Sequence, residues 1–345
     1  MTRYALLLRA SGNRVYGASA FELAQAELAL LDEQVLGGCV RHQQRSTIAG
    51  VDYLVVDTSG PLRADQLRVV SNLSSLHAIF VVGDHDRFQP VPCTPLRSVD
   101  EDVVTIQRYL GKTNEAFTHL LVNVALAAGL CAFERLLSGE RLRVLDPACG
   151  RGTTLNRAAV YGMDACGVEI DHRDVDAFDL FLTTWLKDKR LKHKVERATL
   201  RKGRPAPAHR VRITYGEGRA AQHHRLVDVV HDDTVAAGDH FGSRSMDLLV
   251  CDLPYGVRHG SRPAKGALDR GPERLLVAAL PVWLDLLKPG AGVALAWNRR
   301  TLSRTRLLGL VADAGFGLLR AEDDSFVHRV DRAITRDVLV ATRAM

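Results

Sequence analysis

No two of the six cysteines (Cys39, Cys93, Cys131, Cys149, Cys166 and Cys251) form a C-x-x-C pair. A disulfide framework and a structural zinc site are therefore not indicated, and the thiols are expected reduced. The thirteen histidines include His223, His224 and His231, but they supply no helical His-x-x-x-His pair and no Cys/His cluster, so no metal is expected. Also missing is an apolar run of the roughly 20 residues that cross a bilayer; the longest nearly apolar stretch is residues 120–133. The start, MTRYALLLRASGN, lacks the basic, apolar, small-residue order of a signal peptide. A cytoplasmic protein with no membrane partner is expected. What is present, 345 residues with 46% hydrophobic and 25% charged content, suits two cores of roughly 100–200 residues each.

The net charge of +6 is unevenly placed. Residues 186–225 hold 13 Lys/Arg against 3 Asp/Glu, a net of about +10 that leaves about −4 for the remainder. Such a block either contacts a polyanion or is a solvated insertion.

The first 83 residues alternate in short elements. Residues 4–8 read as a strand, Phe21, Leu23, Ala24, Leu28 and Leu31 recur at helical spacing, and residues 39–45 and 51–57 are strands separated by a turn at Gly50. A helix over 62–73 and a strand over 76–82 complete a β-α-β-β-α-β order, the ferredoxin-like arrangement. Pro90, Pro92 and Pro95 among charged residues predict a linker over 84–112. From 113 to 345 the pattern is that of a doubly wound α/β domain. A long amphipathic helix over 114–137 precedes strands over 142–146, 165–170, 226–230, 247–251 and 293–298, with helices over 153–161, 172–186, 273–287 and 302–314. Two strand-like runs, 317–321 and 337–342, close the chain. The fold class is thus α/β, a mostly parallel Rossmann-like sheet with a terminal antiparallel strand, preceded by a small ferredoxin-like α+β domain. In such sheets ligands sit outside the carboxyl ends of the strands, where strand order reverses.

Three signals fall at those ends. The first, DPACGRGTT over 146–154, joins a strand to a helix; Gly150 and Gly152 permit a sharp turn and close approach of a ligand. Glycine is absent at Leu155, where the dinucleotide fingerprint would need it, and there is no Walker lysine. An adenosine-type ligand with an amino-acid tail therefore fits better than a pyrophosphate, facing Asp146, Pro147, Ala148, Cys149, Gly150, Gly152 and Thr153. The second is VEID over 168–171, where Glu169, flanked by Ile170, can accept from two ribose hydroxyls. The third is HDDT over 231–234, where Asp232 or Asp233, with Asp233 preferred, can accept from an adenine amino group.

The most informative run is CDLPYG over 251–256. The Asp252 carboxylate and the Leu253 carbonyl can both accept from one exocyclic amine, Pro254 stiffens the turn, and Tyr255 offers a face for stacking a base. The implied chemistry is in-line transfer of a methyl group from a sulfonium to that nitrogen, assisted by positioning and without a covalent nucleophile.

These residues resemble the S-adenosylmethionine-dependent RNA methyltransferases of the THUMP-associated type, and most closely the tRNA guanosine-10 N2-methyltransferases. The resemblance is carried by YLGKTNEAFTHLLVNVALAAG over 109–129, VLDPACGRGTTLNRAA over 144–159, GVEID over 167–171 and DLPYG over 252–256. It implies S-adenosylmethionine as cofactor, with Asp146, Gly150 and Gly152 along its methionine part and Glu169 on its ribose. It implies the Asp252–Tyr255 run on the target amine, Thr113 near the cofactor, and tRNA or another structured RNA as partner. Nothing in the sequence calls for an activating protein subunit. The chain departs from the family in having too few residues before Thr113 for a complete THUMP fold beside the ferredoxin-like unit. It also has a basic insertion over 186–225, in which Arg201, Lys202 and Arg204 are expected to contact the RNA backbone.

Rival readings remain open at this level. Adenine-N6 transfer in DNA or RNA uses the same amine chemistry. Glutamine methylation is disfavoured by Asp252 and Leu253, and cysteine-dependent C5 methylation by Tyr255 after the proline. A non-catalytic RNA-binding protein on a methyltransferase scaffold would be expected to lose the cofactor loop or the amine site, and both are intact.

Overall fold

The computed structural model describes residues 1–10, 14–200, 208–216, 224–254 and 272–345. In the N-terminal unit, β1 (Thr2–Leu8), α1 (Arg14–Leu31), β2 (Val40–Ile48), β3 (Val51–Thr58), α2 (Ala64–Val70) and β4 (Leu76–Val82) follow the expected order. All their strand pairings are antiparallel, in the spatial order β2-β3-β1-β4 of the ferredoxin-like arrangement. The expected linker is partly structured. β5 (Phe88–Val91) adds a fifth strand beside β4, and α3 (Asp102–Thr105) buries Val103 and Val104. Pro90 is compatible with this because β5 is an edge strand, where a missing N–H breaks no ladder.

The second unit begins with α4 (Glu115–Ala128), capped by Asn114, whose Oδ1 accepts from the N–H groups of Ala116 and Phe117. The single helix expected over 114–137 is in fact two, because α5 (Ala132–Leu137) starts anew after Gly129. There α4 crosses a later strand so closely that a Cβ at Gly292 would lie 1.9 Å from the Ala125 carbonyl oxygen. The Leu130 N–H then bonds to Gly290 instead of continuing the helical ladder.

The rest alternates: β6 (Arg143–Asp146), α6 (Thr153–Val160), β7 (Asp164–Glu169), α7 (His172–Asp188), β8 (His193–Leu200), β9 (Ala208–Tyr215), β10 (Arg225–His231), β11 (Met246–Asp252), α8 (Pro272–Leu286), β12 (Leu287–Asn298), α9 (Arg304–Asp313), β13 (Phe316–Leu319), β14 (His328–Arg329) and β15 (Thr335–Arg343). The sheet order is β13-β15-β12-β11-β6-β7-β10-β9-β8, with β14 on β15. The central five strands are parallel, and their apolar cores (VL, ACGV, VDVV, LLVC, VALAW) fit strands covered on both faces. Strand order reverses between β6 and β11, which places the ends of these two strands side by side.

The described part of the basic insertion is an antiparallel hairpin, β8–β9, that extends the sheet beyond β10. Much of its charge is paired within the protein: Arg197 with Asp179 at 2.6 Å, and Arg210 and Arg212 with the buried Asp228 at 2.6 and 3.0 Å. No described helix is long and apolar enough to cross a membrane.

The two units share a core in which α1 packs on α4. At its centre Glu27, 1% exposed, accepts from Asn123 Nδ2 at 2.6 Å and from the Ser74 hydroxyl at 2.5 Å. Asn123 Oδ1 accepts in turn from the Tyr161 hydroxyl at 2.7 Å. Removing the carboxylate strands several buried donors. Glu27→Ala is expected to cost about 2–4 kcal/mol of stability, read from urea unfolding.

Candidate active site

The site is built on the reversal point of the sheet. Asp146, at the end of β6, is buried, and its Oδ1 accepts from the Ala148 N–H at 3.2 Å. Burial raises its pKa to about 7, and the nearby Asp252 and Glu169 carboxylates add to the rise, against hydrogen bonds from Thr154 and Ala148.

The chain then turns through Pro147, Ala148 and Cys149 into the glycine loop. Cys149 N–H bonds to the Val168 carbonyl at 3.0 Å, tying the loop to β7. Gly152 has φ +78°, and a Cβ there would meet the Phe178 ring at 2.3 Å, so no other residue fits without displacing α7. Thr153 opens α6, and its hydroxyl lies 3.1 Å from that of Tyr109. The Arg151 guanidinium stands 4.9 Å from the Tyr109 ring centre and pairs with Asp174 at 2.8 Å, so Tyr109 is pinned beside the helix start.

Glu169 ends β7 as expected, and its two oxygens hold the loop. Oε2 accepts from Gly150 N–H and Oε1 from Asp171 N–H, both at 2.8 Å. Each oxygen keeps a second lone pair for a ligand hydroxyl. Burial also raises this carboxyl's pKa, against the backbone N–H bonds. Ile170 beside it is 69% exposed, an apolar surface at the rim of the loop.

At the end of β10, Asp232 binds the Glu169 carbonyl through its N–H, and its Oδ2 lies 2.6 Å from His240 Nε2. Asp233 caps the following 3-10 turn, accepting from Val235 N–H at 3.1 Å. Both side chains thus have a structural task, and neither is singled out for an adenine.

Asp252 closes β11. Its Oδ2 accepts from the Thr113 hydroxyl at 2.8 Å and lies 3.3 Å from Arg336 Nη2. Thr113 is therefore placed on the Asp252 carboxylate. Leu253 is buried and donates its N–H to the Ala296 carbonyl at 2.9 Å, while Pro254 is exposed. Tyr255 lies outside the described residues, as do Arg201, Lys202 and Arg204.

Sequence reasoning missed Arg336. It stands at the start of β15, and because β15 runs antiparallel to β12 its first residues return to the edge where β11 and β12 end. The guanidinium lies 4.4 Å from the Phe117 ring centre on α4 and is almost fully buried. Apart from a basic residue opening a terminal strand, no local signal marks it.

Asp146, Glu169 and Asp252 thus converge beside a loop whose glycines leave backbone room. The raised pKa values of Asp146 and Glu169 are what a cationic ligand would relieve, and a sulfonium with an ammonium tail is such a ligand. The residues present fit S-adenosylmethionine.

Residues 116–279 match the model of the UPF0020 family, described as an RMKL-like methyltransferase domain. No curated protein matches the chain. Among solved structures, TrmN from Thermus thermophilus is similar at 12% identity and a TM-score of 0.46, covering 99% of this chain and all of that one. A TehB-like SAM-dependent methyltransferase from Corynebacterium glutamicum is similar at 14% identity and a TM-score of 0.34, over 61% of this chain and 86% of that one. An rRNA methylase from Streptococcus thermophilus shares 10% identity at a TM-score of 0.35, over 61% and 93%. Residues 116–279 thus carry a methyltransferase domain on a Rossmann-like sheet, and the residues of its site fit S-adenosylmethionine as the cofactor.

Proposed function

We propose that this protein methylates an exocyclic amine of RNA, with guanine N2 of tRNA as the substrate. The observation that carries the reading is Asp252, at the end of β11 beside Asp146, held by Thr113 and Arg336 and followed by Leu-Pro-Tyr. When bound, S-adenosylmethionine supplies a methyl group activated by its sulfonium charge. Asp146, Gly150, Gly152 and Glu169 would hold it. The protein's own part is placement: Asp252 and the Leu253 carbonyl accept from the amine, draw lone-pair density toward attack and keep the nitrogen in line. Asp252 would take up the proton that the amine gives up when it is methylated. Tyr255 would stack the base, a contact typically worth ~1–3 kcal/mol.

RNA as the substrate is supported by the resemblance of the four motifs to RNA methyltransferases and by the N-terminal ferredoxin-like unit. The basic stretch between Leu200 and Ala208 supports it too. β8 is left and β9 entered at the sheet edge where β10 ends in His231, because His209 pairs with His231 and Leu200 with Ala208. The described ends of this hairpin, Leu200 and Ala208, therefore lie at the edge of the sheet where β7 and β10 end. Charge reversal at Arg201, Lys202 and Arg204 is expected to weaken RNA binding and flatten its salt dependence by up to about three counterions. Unchanged affinity and slope would remove that role.

Nucleoside mass spectrometry of total tRNA from a strain lacking the protein tests the whole reading. Loss of N2-methylguanosine is expected. Loss of an N6-methyladenine signal, with N2-methylguanosine intact, would replace guanine by adenine.

A further inference from the structure

The catalytic unit does not close its own site. Arg336, which holds Asp252, is flanked by two rings, and one of them is seated on the N-terminal unit. His328 on β14 is the direct cross-strand partner of Arg336 on β15, so the two side chains stand on the same face. The His328 ring lies 5.0 Å from the Phe117 ring, against which the Arg336 guanidinium packs from 4.4 Å. On its other side His328 meets Tyr16 of α1 edge-on, at 6.3 Å and 88°. His328 and Tyr16 are 4% and 5% exposed, so this row of contacts is dry.

The protonation of His328 follows from its surroundings. Nδ1 faces the Phe326 carbonyl at 3.0 Å, and since a carbonyl only accepts, Nδ1 carries the hydrogen. Burial first, and the Arg336 charge with it, lowers the imidazole pKa to about 4, against the Phe326 carbonyl and the Asp252 charge. The ring beside Arg336 is thus neutral at physiological pH and does not repel the guanidinium. Its Nε2 has no hydrogen-bond partner among the described residues.

We propose that His328 is a positioning residue for methyl transfer: seated on Tyr16 of the N-terminal unit, it fixes Arg336 against Asp252. Docking of the N-terminal unit on the methyltransferase domain then sets the aim of the carboxylate that receives the amine. The N-terminal unit is a structural part of the active site as well as an appended module. The inference rests on the reading of Asp252 as amine acceptor.

The test uses the full chain and two readouts. His328→Ala and Tyr16→Ala are each expected to lower kcat roughly ten- to a hundredfold, with KM for RNA and for S-adenosylmethionine within about twofold. Tyr16→Phe, which keeps the ring edge, and His328→Asn, which keeps a donor for the Phe326 carbonyl, are expected to recover most of the rate. The Tyr16→Ala/His328→Ala double variant should be no worse than His328→Ala alone, because both act through one contact. The second readout needs no substrate: the Arg336 Nε–H signal in nitrogen-15 spectra should shift or broaden in both alanine variants and return in the conservative ones. An unmoved Arg336 signal, an unchanged kcat, multiplicative losses in the double variant, or an effect on KM for RNA alone would each overturn the proposal. If Arg336 responds as expected while the wild-type protein methylates no RNA, the substrate assignment fails and the positioning of Arg336 stands.

Discussion

Asp252→Ala is expected to lower the single-turnover rate of methyl transfer by about 10^3-fold, the scale seen when a preorganised polar group facing the reacting atom is removed. Two features of the site make this the largest catalytic effect available. The carboxylate sits on the end of a central strand whose next N–H is locked to Ala296, so its position is set by the sheet rather than by a loop. Thr113 and Arg336 both engage Oδ2, so two fixed contacts set the orientation of the carboxylate. Asp252→Asn should also be poor, because an amide nitrogen turned toward Thr113 and Arg336 meets two donors, and an amide oxygen turned that way presents a donor to the amine. Cofactor affinity, measured by calorimetry, should stay within a few-fold of wild type in both variants, since Asp146 and Glu169 remain. A variant that keeps a tenth of the wild-type rate would place the amine site elsewhere.

The legible parts of this protein are those whose constraints are local. β6, β7, β10 and β11 are buried on both faces and read as short apolar runs, and each ends in an acidic or glycine-rich motif, so the placement of Asp146, Glu169 and Asp252 at strand ends was legible from sequence order alone. The glycine loop was legible for the same reason, as Gly152 can hold no side chain against Phe178. What escaped depends on contacts distant in sequence. Arg336 reaches Asp252, 84 residues away, only through the antiparallel pairing of β15 with β12. The break between α4 and α5 is imposed by the backbone of Gly292, which no helical periodicity records. β8 and β9 carry charges that hide their alternation, and those charges looked free in sequence because Asp179 and Asp228 lie on other elements. β5 was masked by its proline, which a strand at an edge tolerates.

Two buried carboxyls should give the free protein an unusual pH response. Asp146 rises from an ordinary 3.8 to about 7, and Glu27 from 4.5 to about 7, burial being the first cause in each. Both folded-state values lie above the unfolded ones, so the native state binds protons that the unfolded chain has lost. The stability they contribute is full below about pH 4 and is lost as pH rises through about 7. Without cofactor, urea unfolding should therefore find the protein less stable at pH 8 than at pH 5.5, by an amount on the order of a few kcal/mol. Binding a cation beside Asp146 reverses the sign at that residue, because the ionised carboxylate is then preferred. S-adenosylmethionine affinity should accordingly fall about tenfold for each pH unit below about 7, as the carboxyl must give up its proton to bind. Asp146→Asn should weaken binding at pH 7.5 and flatten this slope, whereas Glu27→Gln, at the interface of the two units, should flatten the stability profile and leave the binding slope intact. Calorimetric titration of wild type and both variants between pH 5.5 and 7.5 separates the two groups, and a wild-type affinity that is flat across that range would show that Asp146 does not face the cofactor's charge.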